Sequence, residues 1–227
     1  MTKNLTRSLT LIALMVLAAG VATGQTWTET GDAGDVVGAA AQVTDCAGVL
    51  TAIDGGMIWA GGDHADAYAI TVTSAAAFSA SLDPGDGGHF TDDGGLEDDS
   101  RLYLLDISGS TMLMANDDKP SASLESYLSD PSTWPGSLTN SPSSLVDGTE
   151  YILVVTYYAN DLQDAGAVNL ATFSPFANLH GINPASTGVP GLWENPGDGS
   201  DASWTYSIAL TGVGCQVPVE LKSFTIE

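Results

Sequence analysis

The stretch Asp63-His64-Ala65-Asp66-Ala67-Tyr68-Ala69-Ile70-Thr71-Val72 sets the fold class. Tyr68, Ile70 and Val72 share one parity, while Ala67, Ala69, Thr71 and Thr73 share the other. Phe78, Ala80 and Leu82 repeat the pattern against Ala77, Ser79 and Ser81. A period of two held over five or more residues marks a half-buried antiparallel strand.

Working outward, residues 101–107 are apolar on both parities, which predicts a central strand. Ser108-Gly109-Ser110 is turn chemistry and joins them to residues 111–115 as a hairpin. Residues 151–158 form the longest apolar run, again a strand buried on both faces. In residues 203–210 Trp204, Tyr206, Ile208 and Leu210 point inward. Residues 49–53 give the first clear strand, which Asp54-Gly55-Gly56 is expected to turn toward Met57. A short helical turn fits around Leu124 to Leu128. The sum is an all-β, antiparallel β-sandwich of about eight strands with long acidic loops.

Residues 1–24 have the form of a secretory signal peptide: basic Lys3 and Arg7, a short apolar run, then Ala22-Thr23-Gly24. The run is shorter than the roughly 20 residues that cross a bilayer, so no membrane span is expected after its removal. Residues 25–48 follow as an irregular leader packed on the domain, 49–215 as the sandwich, and 216–227 as a C-terminal strand or tail.

Without Lys3 and Arg7, three basic residues face 28 acidic ones, so the processed chain carries a formal charge of −25. Such a surface repels nucleic acid and anionic lipid and favours cations. It equally suits a solvated protein in a saline medium. Cys46 and Cys215, the only cysteines, flank nearly the whole domain. In an oxidising compartment they are expected to pair as a structural disulfide.

Calcium wants six to eight oxygens from Asp, Asn and carbonyl groups on bent loops. Residues 83–99 supply Asp83, Asp86, Asp92, Asp93, Asp98 and Asp99, and the next loop opens with Asn116, Asp117 and Asp118. These are the candidate metal ligands, set against the alternative of solvated acidic loops. Asp63 and Asp66 are also compatible with turn residues that close a strand.

Three other chemistries are compatible with single features of the chain. Trp134 and Trp193 lie in long loops, where indoles stack on an extracellular glycan or plug the ends of a sandwich. His64, His89 and His180 match no HExxH helix, and no GxSxG elbow occurs, so no catalytic residues are assigned and no enzyme activity is expected. The C-terminal segment from Val217, with edge-like Pro218, suggests strand-mediated self-association or docking on a protein surface.

The order of these signals resembles the bacterial pre-peptidase C-terminal domain and related secreted proteins. The likeness rests on a Gly-Asp leader, Ile53-Asp54-Gly55 and Asp63-His64-Ala65-Asp66-Ala67-Tyr68. It continues through Leu102-Tyr103-Leu104-Leu105-Asp106 with Gly109, Asn116-Asp117-Asp118 and Gly148-Thr149-Glu150-Tyr151-Ile152-Leu153-Val154-Val155. It closes on Tyr206-Ser207-Ile208-Ala209-Leu210-Thr211-Gly212. The resemblance implies a jelly-roll-like sandwich, a non-catalytic accessory role outside the cytoplasm and, in some relatives, bound calcium. Within these residues no peptidase domain accompanies it, so a role beside a catalytic neighbour is not carried over.

Overall fold

The structure, a computed structural model, describes residues 23–36, 41–46, 48–58, 63–120, 124–194 and 203–215. The expected signal peptide lies outside the described residues except for its last two positions, and the expected C-terminal strand lies wholly outside them.

In chain order the strands are β1 (Gln25–Thr28), β2 (Gln42–Val43), β3 (Val49–Ile58), β4 (Ala65–Val72), β5 (Ser79–Ser81) and β6 (His89–Asp92). Next come β7 (Ser100–Asp106), β8 (Met112–Asn116), β9 (Tyr127–Ser129), β10 (Leu138–Thr139) and β11 (Thr149–Tyr157). The last are β12 (Leu162–Gln163), β13 (Leu179–His180), β14 (Leu192–Trp193) and β15 (Ser203–Gly214).

Two layers share one hydrogen-bonded network. In the first, β15 runs between β3 on one side and β5 and β6 on the other, with β1 outside β3 and β9 outside β5. The second carries β4, β11, β7, β8, β13 and β10 in that order. The end of β15 crosses from one layer to the other: Val213 pairs with both Leu50 and Val72. The central pairs are antiparallel as expected. The marginal pairs β1–β3, β2–β4 and β10–β13 are parallel, so the sheet as a whole is mixed.

Alternation explains the core. Tyr68, Ile70 and Val72 of β4, Leu102 and Leu104 of β7, and Tyr151, Leu153 and Val155 of β11 meet Ile53, Phe90, Tyr206 and Ile208 of the facing layer. The opposite parity of the same strands, including Ala67, Tyr103, Leu105, Ile152 and Val154, is buried separately beneath Leu162, Leu170, Phe173 and Trp193. Residues 160–193 thus form a third, irregular layer over the outer face. That covering is why β4 is buried on both faces and not half-buried as its alternation suggested.

Four further expectations change. Asp54-Gly55-Gly56 makes no turn, because β3 continues through it in register with β15. The leader supplies β1 and β2 instead of remaining irregular. Residues 83–99 include β6, held by pairing to β15 and anchored by fully buried Phe90. Residues 127–129 are strand β9, where a helical turn was expected. Backbone pairing to a neighbouring strand overrides weak local preference in each case.

Cys46 and Cys215 form the expected disulfide, closing a separation of 169 residues beside the paired ends of β3 and β15. Among the described residues no helix is long and apolar enough to cross a membrane.

Candidate metal centre

β4 opens with Asp63 and Asp66 just before and inside its first turn of the pleat. Asp66 has the parity of Tyr68, Ile70 and Val72, so the strand aims it at the core, and it is fully buried. Tyr206 of β15 donates its phenol proton to Asp66 Oδ2 at 2.6 Å, and the Tyr68 hydroxyl contacts that of Tyr206. Asp66 Oδ1 is buried, and among the described residues no donor reaches it. Asp63 repeats this on a smaller scale. Its Oδ2 accepts from the Ile58 amide at 3.3 Å, while its buried Oδ1 has no donor among the described residues.

The leader brings two more carboxylates to the same place. Glu29, at the end of β1, accepts from the Gly56 amide at 2.9 Å and from the Ala33 amide at 3.0 Å. Asp32 accepts from the Gly34 amide at 2.7 Å. One carboxylate oxygen from each of Asp32, Asp63 and Asp66 lies within 4.8 Å of the others. Gly55 makes the convergence fit, since a Cβ there would run into the Tyr206 hydroxyl and the Glu29 carboxylate.

Burial, with the Asp63 charge next, pushes the Asp66 carboxyl up to about 9. Burial and then Asp32 push Asp63 up to about 7, and burial raises Glu29 against its two amide donors. Like charges crowded out of water resist ionisation unless a cation joins them. Oxygen donors with unfilled lone pairs suit a hard cation such as calcium.

The ligands named from sequence are mostly committed elsewhere. Asp83 and Asp86 hold the Lys119 ammonium at 2.6 and 2.8 Å, and Asp83 also caps the Gly85 amide. Asp92 accepts from the amides of Gly94 and Leu96, closing its own turn, while Asp93 is exposed beside it. Asp98 accepts from the Trp204 indole at 2.8 Å. Buried Asn116 donates to three backbone carbonyls and accepts from the Tyr127 amide.

Asp99, Asp117 and Asp118 do converge, with one oxygen each within 4.8 Å. Burial, then the Asp117 charge, pushes Asp99 up to about 7; burial lifts Asp117 to about 6 against Arg101. Arg101 takes up part of this charge. Its Nε donates to Asp117 Oδ1 at 3.1 Å, its Nη1 donates to Asp161, and its guanidinium lies 4.3 Å from the Phe173 ring centroid.

Trp134 and Trp193 are 8% and 5% exposed. Trp193 packs on Tyr103 and donates its indole proton to the Asp35 carbonyl, while Trp134 packs on Tyr127. Neither offers the open face that stacking on a sugar requires, because both fill the space under the loops they belong to.

Glu29, Asp32, Asp63 and Asp66 were missed as a set because they come from two separate segments, the leader and the start of β4. One signal was available: extending the period of Tyr68, Ile70 and Val72 back one step places a carboxylate on the core face. No family model, curated protein or solved structure matches the chain.

Proposed function

We propose that this chain is an exported, non-catalytic β-sandwich module that binds or supports structure outside the cytoplasm and is fastened by calcium. Glu29, Asp32, Asp63 and Asp66 hold the ion. The observation that carries this reading is the pair of buried oxygens, Asp63 Oδ1 and Asp66 Oδ1, that no donor among the described residues reaches within a group of converging carboxylates. A cation there relieves their repulsion and joins the leader to β4 across the end of the sandwich. The disulfide supports export, since such bonds persist in oxidising compartments. Kinship with pre-peptidase C-terminal domains, and the jelly-roll connectivity it implies, belong to the same proposal.

Thermal melting in chelator and in millimolar calcium tests the metal. Calcium is expected to raise the melting temperature of the parent protein. Asp66→Asn is expected to raise it in chelator, because the amide replaces a carboxyl that must take up a proton to stay buried, and to lose most of the calcium response. A parent protein whose melting is the same in both solutions removes calcium from the proposal.

A further inference from the structure

The irregular third layer leaves an open groove of about 560 Å³ on its outer side, with Arg101 and Phe173 among its lining residues. At its margin stands Phe176, 55% exposed. This ring projects from an anchored backbone, because the Phe176 carbonyl accepts from the Asp118 amide at 3.3 Å and from Asn116 Nδ2 at 3.4 Å.

The polar groups of the groove are held in place before any ligand arrives. Asn169 Nδ2 donates to Asp161 Oδ2 at 2.5 Å, and Asn169 Oδ1 accepts from Gln163 Nε2 at 2.7 Å. Asn183 Nδ2 donates to the Asn169 carbonyl at 2.9 Å, while its Oδ1 accepts from the Ala185 amide at 3.0 Å. Arg101 is fixed between Asp117 and Asp161, yet a guanidinium has five N–H groups and these partners use only some of them. Fixed donors and acceptors beside a flat apolar ring lower the ordering cost of binding a ligand rich in hydroxyl groups.

We propose that this groove binds a neutral oligosaccharide. Phe176 is the stacking platform, and Asp161, Asn169, Asn183 and Arg101 read the hydroxyl groups. Neutrality follows from the Asp161 carboxylate in the lining and from the strong negative charge of the chain, both of which repel acidic sugars. This site is separate from the calcium reading and does not rest on it.

Calorimetric titration of the full exported protein with cellohexaose, xylohexaose, maltohexaose and hexagalacturonic acid tests the idea. At least one neutral hexasaccharide is expected to bind with a sub-millimolar Kd, and the acidic one is not. Phe176→Ala should weaken binding about tenfold, and Phe176→Trp should keep it, because the side chain is exposed and the fold does not depend on it. Absence of heat with all three neutral sugars, unchanged affinity in Phe176→Ala, or preference for the acidic hexamer would each overturn the proposal.

Discussion

Tyr206 of β15 hydrogen-bonds to Asp66 of β4 at 2.6 Å, joining the two layers through residues 140 apart in the chain. The bond gives Asp66 two faces. Oδ2 belongs to the core, where the rings of Tyr206 and Phe90 stack 6.5 Å apart, and Oδ1 belongs to the carboxylate group. Any change at Tyr206 is therefore felt by both.

Tyr206→Phe keeps the ring and removes the phenol that donates to Asp66 Oδ2. A buried acceptor left without its partner costs about 1–3 kcal/mol. Urea unfolding should show a lower midpoint with an unchanged slope, since the packed surface is the same. A midpoint equal to that of the parent would mean that Asp66 draws no support from this bond.

Gly55→Ala tests the close approach directly. The added methyl group meets the Tyr206 hydroxyl and Glu29, so one must move. Overpacking of this kind costs about 1–3 kcal/mol. The calcium-dependent rise in melting temperature is expected to shrink with it, because the partly exposed Glu29 can yield where the buried Tyr206 ring cannot. Full retention of both stability and calcium response would show that the site tolerates a displaced Glu29.

How far these relationships could be seen in the chain depended on whether the signal was local. Alternation in β4, β7, β11 and β15 showed which side chains enter the core, because a strand imposes that parity by itself. β6 was hidden because His89-Phe90-Thr91-Asp92 has one apolar residue and owes its strand to the register with β15. Asp54-Gly55-Gly56 looked like a turn, yet its glycines serve a close approach by Glu29 and Tyr206 from elsewhere in the chain. Lys119 between Asp83 and Asp86 was similarly invisible: the acidic loop advertised a metal, and an ammonium from another loop answers it.

Arg101 ties the third layer to the sheet. It is 7% exposed, with Asp117 on one side, Asp161 on the other and Phe173 against its plane. Arg101→Met keeps much of the volume but leaves buried Asp117 and part-buried Asp161 without their cation, at a cost of about 3–5 kcal/mol. Limited proteolysis of this variant should cut first within residues 160–193, which lose their anchor through Asp161. Cleavage that begins elsewhere, at the parent rate, would assign the anchoring to the aromatic contacts alone.

His180 provides a test of pH dependence. Its Nε2 lies 3.0 Å from the Pro175 carbonyl, which can only accept, so the proton sits on Nε2 and Nδ1 is left buried without a donor. Burial holds the imidazole below its usual range, opposed in part by the Pro175 contact. Above the ordinary value of about 6.5, His180 is neutral in both folded and unfolded chains and costs nothing. As pH falls below that value the unfolded chain takes up a proton that the folded one refuses, and stability declines by up to about 1.4 kcal/mol per pH unit. The raised carboxyls work in the opposite direction, since Asp63, Asp66 and Asp99 hold protons in the folded state that the unfolded chain has released. The diagnostic quantity is therefore the difference between the parent and His180→Gln, whose amide can still donate to Pro175 but does not titrate. Urea unfolding at pH 7.5 and pH 5.5 should show the parent losing more stability, relative to the variant, at the lower pH. Parallel behaviour of the two proteins would mean that His180 accepts its second proton in the folded chain, through a donor–acceptor exchange at Nδ1 that its burial is expected to forbid.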